Sequence, residues 1–183
     1  MTRFKETPPE EMSEAQREVC ARLVSGKRGR VPPPFQALLT SPTLCTRAQL
    51  LGEYLRYDSA LPPRLSELAI LVTARFWTAQ YEWYMHAIMA KEGGLDPQII
   101  AAISEKRDPT GLMKEDERVL YAFARMLHEK HKVDDATYGE AVRVLGAQAV
   151  ADLVGLLGYY TLMSMTLNVF EVPVPGGGNP LAD

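Results

Sequence analysis

Cysteine is scarce in this sequence. Only Cys20 and Cys45 occur among 183 residues, too few for a disulfide framework or a four-thiolate zinc site. They stand 25 positions apart, so there is no Cys-x-x-Cys pair, and both read as small core residues. An excess of positive charge is missing too. Lys and Arg number 20 against 23 Asp and Glu, a net charge of −3, so no broad positive field exists to hold a phosphate backbone and no nucleic acid partner is expected. A G-x-S-x-G elbow, a Walker loop and a G-x-G-x-x-G turn are all lacking, which leaves serine hydrolase, nucleotide and dinucleotide functions without support. No stretch alternates polar and apolar residues long enough for a half-buried strand. The first sixteen residues hold no apolar run of signal-peptide length, which predicts a protein of the reducing cytoplasm.

What is present is ordinary globular composition, 46% hydrophobic and 23% charged, in a chain short enough for one core, since chains usually split only beyond roughly 250 residues. Helix start and stop signals dominate, and the fold class is all-α. The spacing predicts a helix over 13–24 capped by Ser13, then a loop, SGKRGRVPPP, in which Lys27, Arg28 and Arg30 could suggest an anion site but read rather as solvated. Short helices follow Pro34 and Pro42. Leu61-Pro62-Pro63 opens a long helical region to about Glu92, closed by Gly93-Gly94. Further helices are expected over 96–104, 113–131, 134–145 and 147–170. The last contains 18 uncharged residues, 153–170, near the lower limit for a bilayer span. Its glycines, tyrosines, Ser164 and Asn168, with Asp152 at the edge, favour a helix buried in protein instead. The organisation expected is an N-terminal helix and Pro-rich loop over 1–34, a helical domain over 35–172, and a tail over 173–183 too polar and Gly/Pro-rich to build a core, mobile or wrapped on a partner.

The segment RLSELAILVTARFWTAQYEWYMHAIMAKEGGL carries the candidate chemistry: Glu67, Arg75, Glu82 and His86. On a helix Glu82 and His86 are one turn apart and face the same way. An imidazole with a carboxylate beside it exchanges a proton near neutrality, and the alternative is an exposed ion pair worth about 0.3 to 0.5 kcal/mol. The aromatic and Met residues around His86 favour the former. Arg75, Ala79, Glu82 and His86 share a stripe if the helix is continuous, which would let Arg75 hold a substrate carboxylate or else pair with Glu82. Glu67 and His86 are 19 residues apart, about 28 Å along a straight helix. They meet only if the chain folds back near 76–79 or a second subunit supplies one of them. His128 and His131 have no third ligand nearby and read as helix-end residues, so no metal is assigned.

These residues suggest a family. LPPRLSELAILVTARFWTAQYEWYMHAIMAKEGGL resembles the core motif of the carboxymuconolactone decarboxylase-like superfamily, which includes alkyl hydroperoxide reductase D-type proteins. VDDATYGEAVRVLGAQAVADLVGLLGYYTLMSMTLNVFEVPVP is similar to its C-terminal part, and together the resemblance runs over 47–175. It implies an all-α fold assembled into trimers or hexamers. In the peroxidase-type members a Cys-x-x-Cys pair, the His four residues on and a Glu twelve residues before form a proton relay; here those positions read Glu67, Ala79, Glu82 and His86. With both cysteines gone, thiol peroxidase activity is not implied. The decarboxylase branch keeps a Glu four residues before the motif His. By that resemblance His86 is the proton donor, Glu82 its orienting base, Glu67 a second proton carrier and Arg75 the carboxylate anchor, in a lyase without cofactor or metal acting on a small carboxylated lactone or related acid. A peroxidase-related protein with another reductant, and a non-catalytic oligomeric binding module, are the alternatives.

Overall fold

Proline or a capping side chain marks most helix starts. The computed structural model describes residues 2–4 and 6–182. Among them the regular structure is helical: α1 (Glu14–Ser25), α2 (Pro33–Leu38), α3 (Pro42–Tyr57), α4 (Pro63–Phe76), α5 (Gln80–Glu92), α6 (Pro97–Ser104), α7 (Glu115–Lys130), α8 (Asp135–Leu145) and α9 (Ala147–Val169), with short 3-10 turns at Pro9–Glu11 and Thr110–Leu112. Pro occupies the first turn of α2, α3, α4 and α6, where its missing N–H costs nothing. Ser13 forms a reciprocal capping box with Gln16, and the carboxylates of Asp96 and Asp134 accept N–H groups of their own helices at 2.8 Å.

Helix α4 runs through the centre. Every residue from Leu65 to Arg75 is buried, and the helix packs against α5, α6, α7 and α9. Such all-round burial is the mark of a central helix, and each fully buried Leu or Ile, such as Leu68, Ile70 and Leu71, contributes about 1.5–3 kcal/mol. Helix α9 is long and apolar enough by length and composition to cross a membrane. Here its apolar side is buried against α2, α3, α4, α5 and α8. Of its two middle glycines only Gly155 lies close to a neighbour, where a Cβ would stand 3.2 Å from Leu55; a Cβ on Gly158 would meet nothing.

The expected long helix over 61–92 is two antiparallel helices. Ala79 N–H bonds Ala74 O at 2.8 Å and Thr78 N–H bonds Arg75 O at 3.1 Å, the paired 6→1 and 5→2 bonds of a Schellman stop. The left-handed position such a stop requires is held by Thr78, with φ 46°, rather than by glycine. A β-branched residue is strained there, and Arg75 Nη1 donating to Thr78 Oγ1 at 3.1 Å helps hold it.

The tail also differs from expectation. It returns onto the chain's own surface: Leu181 is 1% exposed, its N–H and C=O each bond the Gln80 side chain at 2.9 Å, and Arg75 Nη2 donates to Ala182 O at 2.8 Å.

Candidate active site

The reversal between α4 and α5 brings together residues that a straight helix would hold far apart. Glu67 of α4 and His86 of α5 meet in the core, Glu67 Oε2 lying 2.5 Å from His86 Nδ1; both are buried. A carboxylate can only accept, so Nδ1–H donates and the ring's other nitrogen is left for other work. The second oxygen of Glu67, Oε1, is 3.9 Å from Arg56 Nη2 on α3. On the far side of the ring, His86 Nε2 faces Glu82 Oε1 at 3.7 Å, too long for a hydrogen bond.

His86 and Glu82 line a cavity of about 140 Å³ whose walls also include Arg28, Arg56, Tyr159 and Tyr160. Tyr160 meets the His86 ring edge-on, centroids 5.0 Å apart, and Tyr159 packs edge-on against Tyr160 at 5.3 Å. The Arg28 guanidinium lies over the Phe35 ring at 4.8 Å. Arg28 Nε and Nη2 and Arg56 Nε are buried with no hydrogen-bond partner among the described residues. An unmet buried donor costs about 1–3 kcal/mol, more when charged, so these groups favour an anion beside them.

Burial pushes the Glu82 carboxyl above its ordinary range, against the opposing pull of His86 and Arg56. Burial also holds the Tyr160 phenol well above its ordinary value, so it remains an O–H donor at neutral pH. Cys45 lies behind this wall, its Sγ 3.6 Å from Phe35 O. Its thiol is pushed up to about 12, by burial first and then by Cys20, so it is not a thiolate nucleophile.

Three of the four sequence candidates converge: Glu67, Glu82 and His86. Their geometry differs from the expected one, because Glu67, not Glu82, makes the hydrogen bond that orients the ring. Arg75 lies apart. The stripe that would align it with His86 requires a continuous helix, and the break at Thr78 directs Arg75 to Thr78 and the tail. Arg56 and Arg28 supply the cations instead. Arg28, expected in a solvated loop, is half-buried. Sequence reasoning missed Arg56 and Tyr160 and set aside an anion site at Arg28 in favour of a solvated loop; the KRGR run before Pro-Pro-Pro-Phe is the one local hint. His128 is not at the helix-end carbonyls either: its Nε2 lies 2.9 Å from Thr73 Oγ1 and its ring stacks on Phe76 at 4.8 Å.

A histidine held by a carboxylate across a helical reversal, facing a small cavity with unmet guanidinium donors, is an arrangement that can exchange a proton beside an anion. Residues 42–125, which span α3 to α6 and most of α7, match the model of the carboxymuconolactone decarboxylase family, and over that stretch the chain is similar to the family. No curated protein matches the chain. Among solved structures, the fold is shared with a peroxidase-related protein from Silicibacter sp. TM1040, at 14% identity and TM-score 0.74 over 93% of this chain and 90% of that one. It is shared also with an alkylhydroperoxidase AhpD core protein from Ralstonia eutropha JMP134, at 16% identity and TM-score 0.76 over 94% and 92%. The debrominase Bmp8 is a third, at 13% identity and TM-score 0.71 over 96% and 92%. At these identities the likeness is one of fold.

Proposed function

We propose that the chain is a cofactor-free lyase of carboxymuconolactone decarboxylase type, releasing carbon dioxide from a small carboxylated lactone or related acid. The observation that carries this reading is the buried Glu67–His86 hydrogen bond beside a cavity with unpaired Arg28 and Arg56 donors. A cavity of roughly 150 Å³ is enough for a benzene ring, so the volume here suits a single small ring. Arg28 and Arg56 hold the substrate carboxylate. The bond from ring carbon to carboxylate breaks, carbon dioxide leaves, and the electron pair passes into an extended enolate. The Tyr160 O–H donates to the enolate oxygen. The Glu82 carboxyl passes its proton to His86 Nε2 as the pair closes on the substrate, the imidazolium delivers it to carbon, and solvent restores it to Glu82, while Glu67 fixes the ring and balances the imidazolium charge.

The reading includes a homo-oligomer, since Val154, Met165 and Val169 on the outer side of α9 are exposed without a partner in the single chain. Thiol chemistry has no support at the site, where Ala79 and Glu82 stand in place of the cysteine pair. Carbon dioxide release from carboxymuconolactone, compared between the wild type and His86→Ala, tests the proposal. A loss of about 10²- to 10⁴-fold is expected; equal rates, or none in either protein, would exclude this reaction.

A further inference from the structure

At the other end of α4 lies a second cavity, of about 470 Å³, that shares no wall residue with the His86 cavity. Its size falls within the roughly 300–1,000 Å³ of small-molecule sites. Val72 and Ile103 give it apolar surface, and Phe76, Tyr121 and His128 give it rings. Burial holds the His128 pKa below its ordinary value, so this ring is neutral at pH 7 and adds surface rather than charge. Phe76 and His128 are stacked nearly parallel, 16° between planes, which makes a flat wall.

The charged residues on this cavity are unevenly committed. Arg107 bonds Glu105 at 2.6 Å, and Arg125 Nε bonds Glu129 at 2.7 Å. Asp108 accepts the N–H and the hydroxyl of Thr110, each at 3.0 Å. Two cations retain capacity. Arg75 is only 8% exposed, and its Nε is buried with no hydrogen-bond partner among the described residues. Lys106, placed by a left-handed backbone at φ 57°, makes no ion pair among the described residues. A buried guanidinium with an unmet donor, a second free cation and a flat aromatic wall converge on one ligand chemistry.

We propose that this cavity is a second ligand site, for a planar aromatic carboxylate, with Arg75 and Lys106 on the carboxylate and the Phe76–His128 pair against the ring face. It stands independently of the reaction at His86.

The test is a titration of isotope-labelled full-length protein with benzoate, followed by amide NMR shifts. Benzamide serves as the uncharged ring and inorganic phosphate as the ringless anion. Saturable benzoate shifts are expected over 72–78 and at Lys106, unchanged in affinity by His86→Ala. Affinity should fall at least tenfold in Arg75→Gln, in Lys106→Ala and in Phe76→Ala; the last two replace exposed residues and should leave the fold intact. Benzamide and phosphate should each bind at least tenfold more weakly. The proposal is overturned if benzoate does not bind, if its shifts centre on 80–89 and vanish in His86→Ala, if Lys106→Ala and Phe76→Ala bind as the wild type does, or if either control binds as well as benzoate.

Discussion

A Cβ atom on Gly52 would stand 2.1 Å from the Tyr159 hydroxyl and 2.7 Å from Arg28 Nη2, so the phenol and the guanidinium rest on bare backbone of α3. Both belong to the wall of the His86 cavity. Gly52→Ala is therefore expected to displace Tyr159, which is buried and packed against Tyr160, at a cost of about 1–3 kcal/mol for forced repacking. Gly158→Ala on α9 is the contrast. Nothing lies within 4 Å of its Cβ position, and alanine should gain up to about 1 kcal/mol from helix propensity. Thermal unfolding of the two variants should move in opposite directions, and Gly52→Ala alone should lower activity.

The single carboxylate of Glu67 faces two partners, His86 through Oε2 and Arg56 through Oε1. Glu67→Gln keeps an acceptor for His86 Nδ1–H but removes the charge that steadies an imidazolium. Glu67→Ala leaves both partners buried and unpaired, a loss of roughly 3–5 kcal/mol by analogy with broken buried pairs. Activity is expected to fall by about 10²-fold or more in Glu67→Gln with little change in Tm, whereas Glu67→Ala should lower both. A Glu67→Gln enzyme as active as the wild type would remove Glu67 from the proton path.

Local physics was legible from the sequence and long-range geometry was not. Proline at the first helical position, the Ser13 box and the Asp caps act within a turn, so the starts of α1, α3, α4 and α6 could be read directly. The stop between α4 and α5 could not. Its left-handed residue is Thr78, whose conformation depends on contacts such as that with Arg75 and not on its own preference. That one break decides which cation faces His86. With α4 and α5 continuous, Arg75 would share the stripe of Glu82 and His86; with them antiparallel, Arg56 from α3 takes the place. Arg28 was set aside for a similar reason, since its burial comes from stacking on Phe35, seven residues on, and from resting over Gly52, 24 residues on. The family resemblance put Glu67 and His86 at two positions of one proton relay, while spacing left open whether they meet, by a fold-back near 76–79 or across subunits.

Asp152 of α9 ties that helix to the end of α3. Its Oδ1 accepts the Tyr54 hydroxyl at 2.9 Å and its Oδ2 accepts the Ala60 N–H at 2.8 Å. Asp152→Ala deprives both donors, each loss worth about 1–3 kcal/mol where the donor is buried. Tyr54 remains 41% exposed and can turn to water, so the total should lie near the lower end, about 1–3 kcal/mol. Asp152→Asn keeps one acceptor and should recover part of it. Denaturant unfolding of both variants checks the order, and equal stability of Asp152→Ala and the wild type would show that these bonds contribute nothing net.

Glu82 gives the protein a pH signature of known sign. Burial raises its carboxyl pKa in the folded state above that of the unfolded chain, so over the interval between the two values the folded protein binds more protons than the unfolded one. Stability must then decline as pH rises through that interval, because ionising Glu82 is easier once the chain has unfolded. Glu82→Gln removes the titration while keeping a side chain of similar size. The stability difference between Glu82→Gln and the wild type should therefore grow in favour of the variant as pH rises from the ordinary glutamate range, and level off above the folded value. Activity should fall over the same interval, since the proton at issue is the one delivered to carbon: the wild-type rate should drop on the alkaline side, and Glu82→Gln should be less active and lack that limb. Parallel unfolding curves for the two proteins at every pH would mean that Glu82 titrates as an ordinary carboxylate and holds no proton to deliver.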